Sequence, residues 1–179
     1  MKAISFDVND ADVRRGFLQS IFPDAIAELE ESSQPHWGKM SAQEMVEHLI
    51  WAIELSTGQK NVECPTPEGI RQKTKTFLYD NRPTPREFMN PLLAGGLPAL
   101  RHASLADAMA ALRVQVGYFN DYLLSLPDAV NTHPILGPIN TQEWDRVHFK
   151  HFCHHLLQFG LIELRMPSEA SSQSPNRIR

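Results

Sequence analysis

The chain has 179 residues, 42% hydrophobic and 21% charged, which suits a folded domain with a sizeable core and excludes wholesale disorder. Lys and Arg total 17 against 21 Asp and Glu, so the basic excess that nucleic-acid binding requires is missing. No apolar stretch approaches the ~18 residues of a membrane span, and no signal-like apolar core follows the start, so no membrane association and a cytoplasmic location are expected.

Residues 1–166 read as one helical domain. The first helix is expected within 1–22: Asn9 and Asp12 suit its start, Val13, Phe17 and Ile21 repeat at four-residue spacing, and Pro23 closes it. A shorter helical piece is expected from Asp24 to about Glu31. The second helix, 41–57, opens at Ser41 with Glu44 three residues on, the pattern of a capping box. Met45, His48, Ala52 and Leu55 then share one face before Gly58.

Residues 58–103 are rich in proline (Pro65, Pro67, Pro83, Pro85, Pro91, Pro98) yet carry Phe77, Leu78, Phe88, Met89, Leu92 and Leu93. That mixture predicts an ordered cover rather than a free linker. The third helix, 104–126, starts at Ser104 with Asp107 behind it, carries the stripe Leu105, Met109, Leu112, Val116, Phe119 and Leu123, and stops at Pro127. A shorter cover, 132–140, leads into the fourth helix, 141–164, with Trp144, Val147, His151, His155 and Ile162 along one side. The tail, 167–179, has little to bury and is expected to be disordered. With no segment of strand period, the expected fold is all-α: a four-helix bundle with a long proline-rich crossover between helices 2 and 3.

Four of the eight histidines fall between His148 and His155. On a helix, positions four apart lie only ~40° from each other, so His151 and His155 project from one face a turn apart. Two ligands leave a divalent ion under-coordinated, and His48, at the centre of the apolar face of the second helix, is the expected third. Three neutral imidazoles suit zinc, nickel, iron or copper and leave a position open. The alternative for each His is an ordinary hydrogen-bonded side chain, the reading given to His36, His102 and His133 in expected loops. Phe152 after His151, where zincins carry Glu, argues against that protease class. Glu44 can orient His48, but its capping role needs no extra assumption. Cys153 lies opposite His151 and His155 and reads as core, and Cys64 has no assigned role. Trp37 and Trp144 read as packing anchors and Trp51 as core or pocket wall. His148 and His154 are candidates for proton shuttles or for plain hydrogen bonding, so catalytic residues stay unassigned.

The stretch PHWGKMSAQEMVEHLIWAI and, later, HPILGPINTQEWDRVHFKHFCHHLLQFG resemble the DinB/YfiT-like superfamily of metalloenzymes, and within it a branch described as a domain of unknown function. The likeness covers about 35–57 and 132–160. It implies a four-helix bundle whose metal is held by one His of the second helix and an HxxxH pair of the fourth, positions that match His48, His151 and His155. It further implies low-molecular-weight thiols as small-molecule substrates and a homodimer. The functional expectation is thus a metal-dependent enzyme with a three-histidine site transferring a thiol to a small electrophile. A metal-dependent hydrolase, a non-catalytic small-molecule or metal-binding protein, and a helical interaction protein whose histidines bind nothing are the alternatives.

Overall fold

The computed structural model describes residues 2–86 and 96–166. Strand β1 (Lys2–Ser5) is followed by α1 (Ala11–Gly16), a π turn (Phe17–Ile21) and α2 (Phe22–Ile26). Asp10 caps α1, accepting from the amides of Asp12 and Val13. Pro23 does not stop this run. The wider π turn ahead of it relieves the clash that the proline ring makes with an α-helical carbonyl one turn back.

Helix α3 (Ala42–Ser56) begins with the capping box read from the sequence: Ser41 Oγ accepts from Glu44 N, and Ser41 N donates to Glu44 Oε2 at 2.7 Å. Within the expected cover, α4 (Glu68–Lys75) runs into a 3-10 turn (Thr76–Tyr79), so that region carries helical structure of its own. Residues 87–95 of the expected cover and the expected tail lie outside the described residues. Helix α5 (Leu105–Ser125) is capped by Ser104, and α6 (Thr141–Gln158) carries a second capping box formed by Asn140 and Glu143.

The described chain is mixed α/β, which corrects the all-α four-helix bundle with a long proline-rich crossover. Strands β2 (Val130–His133) and β3 (Gly137–Asn140) form an antiparallel hairpin that begins two residues before the expected short cover and takes it in. Strand β4 (Ile162–Arg165) pairs in parallel with β1, Lys2 opposite Ile162 through Ser5 opposite Arg165. Each strand has four residues, too few for alternation to stand out in a sequence, and the β1–β4 pair joins opposite ends of the chain. The fourth helix also ends earlier than expected. Gly160, at φ +67°, takes the left-handed position, and Leu161 N donates to Leu156 O at 2.8 Å while Gly160 N donates to Leu157 O at 3.1 Å. This Schellman pair closes α6 and turns Ile162 into the sheet.

Helix α6 separates two environments. On one side Phe149 stacks on Phe6 with ring centroids 5.2 Å apart and meets Phe17 edge-on, while Phe152 stacks on Phe22 at 4.7 Å. Cys153 and Leu156 are buried with them, and burial raises the Cys153 thiol pKa well above its usual value. The other side, bearing Val147, His151 and His155, faces α3 and a cavity. Lys150 fastens the roof of that cavity: its Nζ donates to the carbonyls of Phe77 and Asp80, each at 2.7 Å, and lies 3.6 Å from the centre of the Phe77 ring. No helix among the described residues is long and apolar enough to cross a membrane.

Candidate metal centre

The structure brings His48, from the middle of α3, together with His151 and His155 of α6. His48 Nε2 lies 2.9 Å from His151 Nε2, and His155 Nε2 lies 3.0 Å from the same atom. Nitrogens each about 2.0–2.1 Å from a shared ion stand roughly 2.9–3.4 Å apart at ordinary coordination angles, so these two separations suit a common divalent ion, and the ligand atoms of all three rings lie within 4.8 Å of one another.

Hydrogen bonding sharpens that test. Gln158 Nε2 donates to the Trp37 carbonyl at 2.8 Å, which turns its Oε1 toward His155 Nδ1, also at 2.8 Å. His155 therefore carries its hydrogen on Nδ1 and presents a lone pair from Nε2. Without an ion, the contact to His151 needs a hydrogen on His151 Nε2, and the contact to His48 must share that same hydrogen. One hydrogen would be divided between two acceptors. A cation where the three lone pairs meet satisfies all of them at once, and these three residues could hold one.

The rings are also in the right protonation state. Burial lowers the His48 pKa to about 4, with the nearby His154 adding to the effect. Burial, and then the proximity of the other rings, pushes His151 and His155 well below the usual imidazole value. All three are neutral ligands near pH 7.

Above them opens a cavity of about 470 Å³, within the range of small-molecule sites. Trp51, one turn from His48 and stacked near its ring, forms one wall, so the core-or-pocket alternative resolves to pocket. Trp144 is buried beneath His133. The β2–β3 hairpin supplies Ile135 and Leu136, the α4 region Phe77 and Leu78, and residues 82–85 close the far side.

The shuttle candidates part company. His148 is fully buried away from the cavity, its Nε2 2.8 Å from Ser56 Oγ and its ring packed among Phe119, Trp144 and Phe152. Since the Ser56 hydroxyl donates to Ile53 O, His148 Nε2 is the donor, and Nδ1 has no hydrogen-bond partner among the described residues. His154 reaches the cavity wall but turns Nδ1 toward the Thr84 carbonyl at 3.4 Å. His133 lines the cavity and accepts from the Ile135 and Leu136 amides at 3.1 Å, shaping the hairpin turn. His102 is bound up with Glu47, whose carboxylate accepts from the Arg101 and His102 amides.

Gln158 was missed from the sequence, although its position three residues after His155 on the same face was a usable signal. Gln158→Leu frees the His155 ring to rotate and to change tautomer, and is expected to weaken zinc binding about 10- to 100-fold in competition with a chromophoric chelator, with the fold retained.

His133 and His148 make stability pH-dependent. Burial lowers each from 6.5 to about 3, with His133 adding to the shift of His148. Both are neutral when folded and bind protons more readily when unfolded. Their contribution is whole above about pH 6.5 and is lost as pH falls from there toward about 3, at roughly 1.4 kcal/mol per pH unit for each ring. Urea titrations of His148→Phe between about pH 6 and pH 4 should show a slope shallower than the parent by that amount.

Compared with family models, curated proteins and solved structures, the chain matches none. The likeness to the DinB/YfiT-like superfamily rests on the two sequence segments alone.

Proposed function

We propose that the protein is a metal-dependent enzyme that joins a low-molecular-weight thiol to a small electrophile, with His48, His151 and His155 holding one zinc or nickel ion. The observation that carries this reading is the meeting of three imidazole Nε2 atoms at the floor of an apolar cavity. A divalent ion there would act as a Lewis acid, making a thiolate available near neutral pH. His155, oriented by Gln158, and His48, braced by Trp51, keep their lone pairs aimed at the ion's position. The walls around the reacting groups are mainly apolar.

Thiol transfer is preferred to hydrolysis on the resemblance of residues 35–57 and 132–160 to thiol-using metalloenzymes. Among the described lining residues there is no carboxylate, so the imidazoles of His133 and His154 are the proton acceptors that either reaction would have at hand.

The test is turnover of a thiol panel with chlorodinitrobenzene by the zinc- or nickel-loaded chain, with and without chelator. Chelator-sensitive turnover above the buffer rate is expected. Equal rates with and without chelator across the panel would remove the enzyme and leave a binding protein. Loss of fold on chelation without any turnover would make the ion structural.

A further inference from the structure

The cavity has a chemical character of its own beyond the ion at its floor. Its walls are Met40, Trp51, Leu55, Phe77, Ile135 and Val147, with the prolines of residues 82–85 closing one side. Both lining cations are already engaged: Lys150 by two carbonyls and the Phe77 ring, and Arg82 by the Asp80 carboxylate. His133 Nδ1 is used by two backbone amides and His154 Nδ1 turns to the Thr84 carbonyl, which leaves the Nε2 atoms of these two rings as polar groups of the wall. Among the described residues, the walls are thus mainly apolar, their polar groups are few (the Nε2 atoms of His133 and His154, the Thr84 hydroxyl and the Trp51 indole N–H), and no carboxylate lines them.

The floor is the opposite. Three neutral imidazoles bring no negative charge, so an ion bound there would keep its full double charge beside a mainly apolar space. An anionic head group is the partner that such a charge selects.

We infer that the site takes an amphipathic small molecule: a compact apolar body, aromatic or branched, ended by one anionic metal-ligating head, thiolate or carboxylate. This rests on the metal reading above and narrows its substrate class. Thiols that carry several amide or charged groups are disfavoured, because each such group would lose its hydration without a partner, at roughly a tenfold or greater loss of affinity. A body the size of a phenylalkyl chain fits a space of about 470 Å³.

Calorimetric titration of the zinc-loaded full chain separates body from head. The probes are phenylbutyrate, phenylbutanol with the same body and a neutral head, acetate with the head alone, and glutathione as a polar thiol. Benzyl mercaptan then distinguishes a thiolate head from a carboxylate. Phenylbutyrate is expected to bind at least about tenfold more tightly than phenylbutanol, acetate or glutathione. After chelation its advantage over phenylbutanol should vanish. Ala52→Phe, which fills the cavity one turn beyond His48, should weaken phenylbutyrate about tenfold or more while zinc stays at about one equivalent. Should that variant fail to fold, Ile135→Trp on the hairpin turn serves the same purpose.

Phenylbutyrate binding no tighter than acetate to a chain that holds one zinc would overturn the inference and leave the functional reading standing. Tighter binding of glutathione than of benzyl mercaptan would overturn it as well. A chain that takes up no zinc overturns the functional reading, and the anionic head with it, through metal content rather than ligand affinity.

Discussion

Replacing His151 with alanine is expected to lower bound zinc from about one equivalent per chain to less than about a tenth, measured by elemental analysis after loading and desalting. His151 is the hinge of the cluster. Its Nε2 is the atom that both other Nε2 atoms approach, at 2.9 Å and 3.0 Å, and its removal leaves only two imidazoles, on different helices, to hold the ion. His48→Ala and His155→Ala should behave alike. His148→Phe should keep its zinc, because that ring is sealed among Phe119, Trp144 and Phe152 and does not reach the cavity. This contrast separates a defined three-nitrogen site from loose capture of metal by a histidine-rich helix. A full equivalent retained by His151→Ala would end the metal reading. The loaded parent should also melt higher than the chelated one, since free zinc at a thousandfold excess over Kd stabilises a specific site by about 4 kcal/mol.

The second large effect concerns stability. Arg14 Nε donates to Asp145 Oδ2 at 2.6 Å, and Arg14 Nη1 donates to the Val8 carbonyl at 2.7 Å, with both side chains nearly sealed from solvent at 3% and 6% exposure. The pair links the loop after β1, helix α1 and the first turns of α6. Asp145→Leu leaves the guanidinium buried without its counter-charge and is expected to cost about 3–5 kcal/mol in urea denaturation. The double replacement Arg14→Met with Asp145→Leu should recover most of that loss, because neither charge then has to be desolvated. A double variant as unstable as the single one would show that packing, not the unpaired charge, is responsible. Metal uptake by the refolded double variant should match the parent, as the pair lies at the other end of α6 from His155.

Legibility in the sequence followed the range of the forces involved. The start of α3 was readable because a Ser41–Glu44 capping box is satisfied within four residues. The stop at Gly160 was present in the sequence too, but the apolar residues Leu161, Ile162 and Leu164 beyond it extend the helical pattern. The π turn at Phe17–Ile21 carried no such local sign, and Pro23 read as an end when it is a bend absorbed in a continuing run.

The four-residue spacing of His151 and His155, together with His48 on the apolar face of α3, belongs to the amino-acid sequence by itself, because helical periodicity alone puts such side chains on one face. Only the tertiary structure decided that α3 and α6 lie with those faces opposed, that Gln158 sets the His155 tautomer through Trp37, and that the β2–β3 hairpin and the Phe77 turn roof an apolar cavity above the rings. Tertiary structure also decided the fold class, since among the described residues β1 and β4 pair only with each other, across almost the whole length of the chain. Contacts between residues that far apart leave no periodic trace, because neither partner's local sequence encodes the other's position.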